Sequence, residues 1–180
     1  MGQALANWIL KILGWKIEGI FPPPDKKFML IVAPHTSNWD FPLGILVRKA
    51  RNAKVMFMAK NSLFRWPHGF IFRWLGGYPV DRTGNKNYVQ NVAGIFKRHE
   101  KFAVIIAPEG TRQKVNKFKT GFYFIAKEAN IPIQMCKFDY SIKTATFDKP
   151  FYPTDVDTDM EIIMRYYKGI DGKNKELGID

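Results

Sequence analysis

The chain has 180 residues and a mass of 20.9 kDa, the size of one compact domain. Hydrophobic residues make up 46% of it and aromatics 15%, which excludes disorder, while a single cysteine excludes a disulfide framework or a multi-thiolate zinc site. Residues 1–150 carry a net charge of +15 and residues 151–180 a charge of −3; a body this basic calls for nucleic acid, an anionic membrane surface or a phosphorylated small molecule.

Residues 4–21 form the first expected element, an amphipathic helix rich in apolar side chains, with Trp8 and Trp15 near Lys11 and Lys16. Three charges make it a poor spanning helix, and it lacks the basic start and cleavage site of a signal peptide. Its apolar stripe is too wide for one protein face, so the segment is expected to lie in the headgroup region of a membrane. Pro22, Pro23 and Pro24 are expected to end it, since proline removes an amide donor and disfavours helix in the residue before it. Residues 1–24 are therefore read as a membrane-interfacial helix and residues 25–180 as the folded domain.

Continuously apolar runs at Phe28–Ala33, Val55–Ala59 and Phe102–Ala107 read as strands buried on both faces. A fourth strand is expected over Ile131–Phe138, with Tyr140–Phe147 alternating like an edge strand. Helical spacing predicts helices near 85–99, through Tyr88, Val92, Ile95 and Phe96, and over roughly 118–129. Alternating buried strands and amphipathic helices predict an α/β fold, a single layered domain with a mostly parallel or mixed central sheet flanked by helices.

In such folds the chemistry collects in loops at the carboxyl ends of strands. After the first strand comes Pro34-His35-Thr36-Ser37-Asn38-Trp39-Asp40. Five residues on a regular helix leave His35 and Asp40 about 140° out of register, so only a turn leading into a helix start brings them together. There the carboxylate fixes the imidazole tautomer and frees Nε2 as a base, while the nucleophile comes from the substrate. Taken alone, His-x₄-Asp also fits a helix-capping aspartate beside a surface histidine. Pro108-Glu109-Gly110-Thr111-Arg112 follows the third strand, pairing a glycine for close backbone approach with an arginine fork for phosphate. Gly76-Gly77-Tyr78-Pro79-Val80-Asp81-Arg82 lies between them.

The order PHTSNWD, GGYPVDR, APEGTR, NIPIQM resembles the four sequence blocks of the glycerophospholipid acyltransferase family, typified by the lysophosphatidic acid acyltransferases, over roughly residues 28–137. Ala59-Lys60 and Phe118-Lys119-Thr120-Gly121 support the match. The resemblance implies an O-acyltransferase of membrane phospholipid biosynthesis. It makes His35 the general base, oriented by Asp40, with Lys60, Arg82 and Arg112 on the acceptor phosphate and Glu109, Gly110 and Thr111 shaping the acceptor site. It implies acyl-CoA or acyl carrier protein as donor, a lysophospholipid or lyso-aminolipid as acceptor, and no cofactor or metal. A peripheral or monotopic position on the cytoplasmic face of the membrane follows from it. Pro34, where many members have asparagine, and Pro79, where an aromatic is usual, suggest a short bacterial-type branch.

Two other readings compete: a catalytically silent lipid-binding protein, and a basic nucleic-acid binder. The aromatics sit mostly at apolar periodic positions rather than at exposed stacking ones, which disfavours nucleic acid. Ser37, Ser62 and Ser141 lie in no Gly-x-Ser-x-Gly elbow, and no glycine-rich nucleotide loop is present. His68 and His99 are expected at the surface or its boundary, and the Cys136 thiol in the interior.

Overall fold

A computed structural model describes residues 2–80 and 88–179. Its helices are α1 (Gly2–Ile12), α2 (Asp40–Ala50), α3 (Gly69–Trp74), α4 (Tyr88–Arg98), α5 (Gly121–Ala129) and α6 (Val156–Tyr167). Its strands are β1 (Lys16–Glu18), β2 (Lys27–Ala33), β3 (Met56–Lys60), β4 (Gly77–Val80), β5 (Phe102–Ile106), β6 (Ile133–Asp139) and β7 (Thr144–Phe147). The seven strands make one sheet in the order β1-β7-β6-β2-β5-β3-β4, parallel throughout except for the β6–β7 hairpin.

β2 lies at the centre because nothing in it after Lys27 tolerates water. Strand alternation sends Phe28, Leu30 and Val32 to one face, where they pack with α1 and α2 through Ala6, Leu10, Leu43 and Val47. Met29, Ile31 and Ala33 go to the other, against α4, α5 and α6 through Phe96, Phe122, Tyr123 and Ile163. Burying a side chain such as Ile31 on both accounts contributes roughly 1.5–3 kcal/mol. The expected α/β layered domain is the observed fold, with a helix at its amino end.

The amino-terminal helix stops at Ile12, ten residues before the prolines. Gly14 takes φ +76°, Trp15 bonds back to the Leu10 carbonyl, and the chain leaves as β1, which pairs with Thr144–Thr146. A left-handed glycine ends a helix without the Cβ clash other residues meet, so the stop lies there and not at Pro22. β1 also covers β7, which is therefore not an edge strand. The second edge is β4, in the segment Gly77-Tyr78-Pro79-Val80, and an edge is where a proline lacking an amide donor fits. α2, α3 and α6 are three helices that the periodicity reading did not include, although the His35–Asp40 spacing called for a helix start where α2 begins. For α6 the signal was present: the Asp155 carboxylate accepts from the Thr158 amide at 2.9 Å and caps a run that buries Ile163 and Tyr167.

Candidate active site

Three neighbouring strands position the site. β6, β2 and β5 lie side by side and parallel, with Ala33 opposite Lys137 and Ile31 opposite Ile106. Their carboxyl ends therefore open on the same edge of the sheet, and the residues just beyond them converge: Tyr140 after β6, His35 after β2, Glu109 after β5. Asp40 completes the group as the first residue of α2, reached by the turn that the spacing required.

Asp40 is 6% exposed and receives three donors. His35 Nδ1 lies 3.1 Å from its Oδ2, the Ser37 amide donates to the same oxygen at 2.9 Å, and the Tyr140 hydroxyl donates to Oδ1 at 2.7 Å. Burial acts to raise the Asp40 pKa, but the hydrogen bonds from His35, Tyr140 and Ser37 together outweigh it and leave the carboxyl below its ordinary value. An ionised carboxylate only accepts, so Nδ1 carries the proton and the neutral imidazole presents a bare Nε2. Burial first, and then the Asp40 charge, push the Tyr140 phenol well above its ordinary range, so it stays a donor.

Glu109 holds the histidine from the other side. Its Oε1 accepts the His35 backbone amide at 2.8 Å, while Oε2 is buried without a hydrogen-bond partner among the described residues. Burial pushes its pKa up. Gly110 follows at φ +66°, and a Cβ there would lie 2.8 Å from Lys119 Nζ, so the lysine folds across a position where glycine leaves room. The carboxyl-terminal segment fixes the loop from outside. Asn174 donates its backbone amide to Thr36 Oγ1 at 3.1 Å and its side chain to the Thr36 carbonyl at 2.9 Å. The Tyr140 amide bonds the Asp171 carbonyl at 2.9 Å.

A cavity of about 1390 Å³ joins these groups. His35, Asp40, Gly110, Thr111 and Arg112 line it, as do two further cations, Arg48 and Lys119. Its apolar arm runs beneath α2 past Val32, Gly44, Phe57, Ile105 and Phe138. Glu109 stands behind the wall. Lys60 is exposed at the end of β3 and does not line the cavity, and Arg82 lies outside the described residues. Within the aromatic-rich stretch from Phe57 to Trp74, Phe57 and Met58 line the cavity, whereas Trp66, Phe70 and Trp74 are exposed. Sequence reasoning missed Tyr140, Arg48 and Lys119. Lys119 sat within a recognised motif, whereas Tyr140 is a hundred residues from Asp40 and carried no pattern. His68 is exposed, His99 is half-buried with Nδ1 3.2 Å from the Ile95 carbonyl, and the Cys136 thiol is wholly buried. Among the described residues no group of three His, Cys, Asp or Glu side chains is placed to hold a metal ion.

A family model described as Acyltransferase matches residues 15–138. The crystal structure of the 1-acyl-sn-glycerophosphate (LPA) acyltransferase PlsC from Thermotoga maritima shares the fold, with a TM-score of 0.60 at 18% identity, over 95% of this chain and 80% of that one. No curated protein matches the chain.

Proposed function

The chain belongs to the Acyltransferase family, and on that premise we propose that it moves a fatty acyl group from acyl-CoA or acyl carrier protein to the hydroxyl of a lysophospholipid or lyso-aminolipid. Lysophospholipid-type O-acyl transfer is the general activity of the family; donor, acceptor and residue roles are the proposal.

The observation that carries it is the His35–Asp40 pair, held at 3.1 Å on the wall of a cavity that also presents Arg112, Arg48 and Lys119. His35 Nε2 takes the proton of the acceptor hydroxyl as that oxygen attacks the thioester carbonyl. Asp40, braced by Tyr140 and Ser37, stabilises the imidazolium that forms. Collapse of the tetrahedral intermediate breaks the C–S bond, and His35 returns the proton to the leaving thiolate. General-base assistance of this kind contributes roughly 10²–10⁴ in rate. Arg112 and Lys119 face the acceptor phosphate, Gly110 and Thr111 shape its site, and the apolar arm under α2 receives an acyl chain. The chemistry needs no metal or redox cofactor. Leu5, Trp8 and Ile12 of α1, exposed at 56%, 60% and 62%, support contact of this helix with a membrane surface, and a peripheral position on the cytoplasmic face belongs to the same proposal.

Purified protein is incubated with a long-chain thioester and a panel of lysolipids, and the products are read by mass spectrometry. A diacyl product from at least one anionic lysolipid is expected; thioester hydrolysis alone, across the whole panel, contradicts the transferase reading.

A further inference from the structure

Exposed apolar side chains concentrate on two elements that the acyl-transfer chemistry does not use. The 3-10 turn Asn61–Phe64 and α3 leave Leu63, Trp66, Phe70 and Trp74 at 43%, 91%, 69% and 75% exposure. With Trp8 and Trp39, four of the five tryptophans are thus exposed. Contiguous apolar surface of this kind marks an interaction site.

α1 and α3 both adjoin the carboxyl end of α2. Gln3 and Asn7 of α1 donate to the Ala50 carbonyl at 3.1 and 3.4 Å, and the neighbouring Lys49 ammonium sits 5.1 Å from the Trp74 ring centre. Charge follows the same division. Residues 2–17 and 41–80 contain nine lysines and arginines and no aspartate or glutamate. A second copy seated on this face would set cations against cations. Aliphatic Leu5, Ile12, Leu63 and Ile71 share it with the tryptophans, which suits hydrocarbon better than base stacking. β3 connects the face to the cavity, since Phe57 and Met58 line the wall and the 3-10 turn follows directly.

We propose that α3 and its preceding turn form, together with α1, one docking face for an anionic bilayer, with indoles at headgroup depth and lysines and arginines on the lipid phosphates. The face rests on the lipid-acceptor reading for its purpose, but its test needs no turnover.

The full chain is floated with phosphatidylcholine vesicles, with and without phosphatidylglycerol. The native protein is expected to partition mainly to the anionic vesicles. Trp66→Ala/Phe70→Ala/Trp74→Ala should lower that partition coefficient about tenfold or more, and Trp8→Ala/Ile12→Ala should lower it separately. Arg65→Gln/Arg73→Gln, which keeps the apolar face and guards against misfolding of the triple variant, should reduce the preference for anionic over neutral lipid. Circular dichroism and the thermal midpoint check folding. An undiminished partition coefficient in the folded triple variant together with an unchanged lipid preference in the arginine variant overturns the proposal. So does a native dimer that the triple substitution dissociates while vesicle binding persists, or binding of single-stranded oligonucleotide through these tryptophans in place of vesicles. Vesicle binding without acyl transfer supports the face and removes the enzymatic reading instead.

Discussion

Asp40 is a carboxylate with three donors and one task, and each donor has a distinct consequence. Tyr140→Phe keeps the ring that packs edge-on to Trp15 at 4.9 Å and removes only the 2.7 Å bond. Asp40 then carries more of its charge toward His35 and stabilises the imidazolium, so the acid limb of the kcat/KM profile is expected to move to higher pH. The other charged or titratable groups near the histidine, Glu109 beneath it and Lys173 at 6.0 Å from the Tyr140 ring, are unchanged in that variant. A purely structural Tyr140 would lower stability and leave the pH profile in place. Arg112→Ala tests the anion side: loss of a charge-assisted contact of about 1.5–3 kcal/mol should raise the acceptor KM by roughly 10- to 150-fold, and an unchanged KM contradicts the phosphate role. His35, Asp40 and Arg112 were legible because the family motifs carry their types and spacing. Tyr140 was not, because only the β6–β2 pairing puts it beside Asp40.

Elements explain what the motifs cannot. Arg48 of α2 donates to the Val55 carbonyl at 2.7 Å and the Leu75 carbonyl at 2.8 Å, tying the helix to the start of β3 and the end of α3. Arg48→Ala strands two carbonyls in the interior and should cost about 3 kcal/mol in denaturant unfolding. Arg165→Ala, which breaks an exposed pair with Glu161, should leave stability unchanged. Gly44 faces the apolar arm, where a Cβ would meet only Phe138 Cε2 at 4.0 Å. Gly44→Leu is expected to fit without unfolding and to shift donor preference toward shorter acyl chains, read by competition between thioesters. The buried strands were visible as unbroken apolar runs, whereas β1 and β4 were hidden because edge strands of three and four residues have no period to read. The amino-terminal helix was overextended because hydrophobicity continues past Gly14 into β1, and only the backbone reveals the change of element.

For the molecule as a whole, pH acts through two buried carboxyls of opposite sign. Asp40 has a folded pKa below its unfolded value near 3.8, so its contribution to stability is present above that value and is lost as pH falls through the folded one. Glu109 has a folded pKa raised above 4.5, so its ionisation opposes folding and is relieved as pH falls through the raised value. Thermal midpoints compared across that window should therefore show the native protein gaining on Glu109→Gln as pH drops, and losing ground to Asp40→Asn at lower pH still. Parallel trends for the two variants would contradict the opposed environments.

Every step of the proposed acyl transfer passes through Nε2 of one histidine. With the thioester donor and the preferred lysolipid identified, thiol release by the native protein and by His35→Ala is followed at equal concentrations, with folding and vesicle binding matched. A fall of about 10²–10⁴ in kcat/KM is expected with both controls unchanged; turnover by His35→Ala at the native rate would show that this imidazole is not the base.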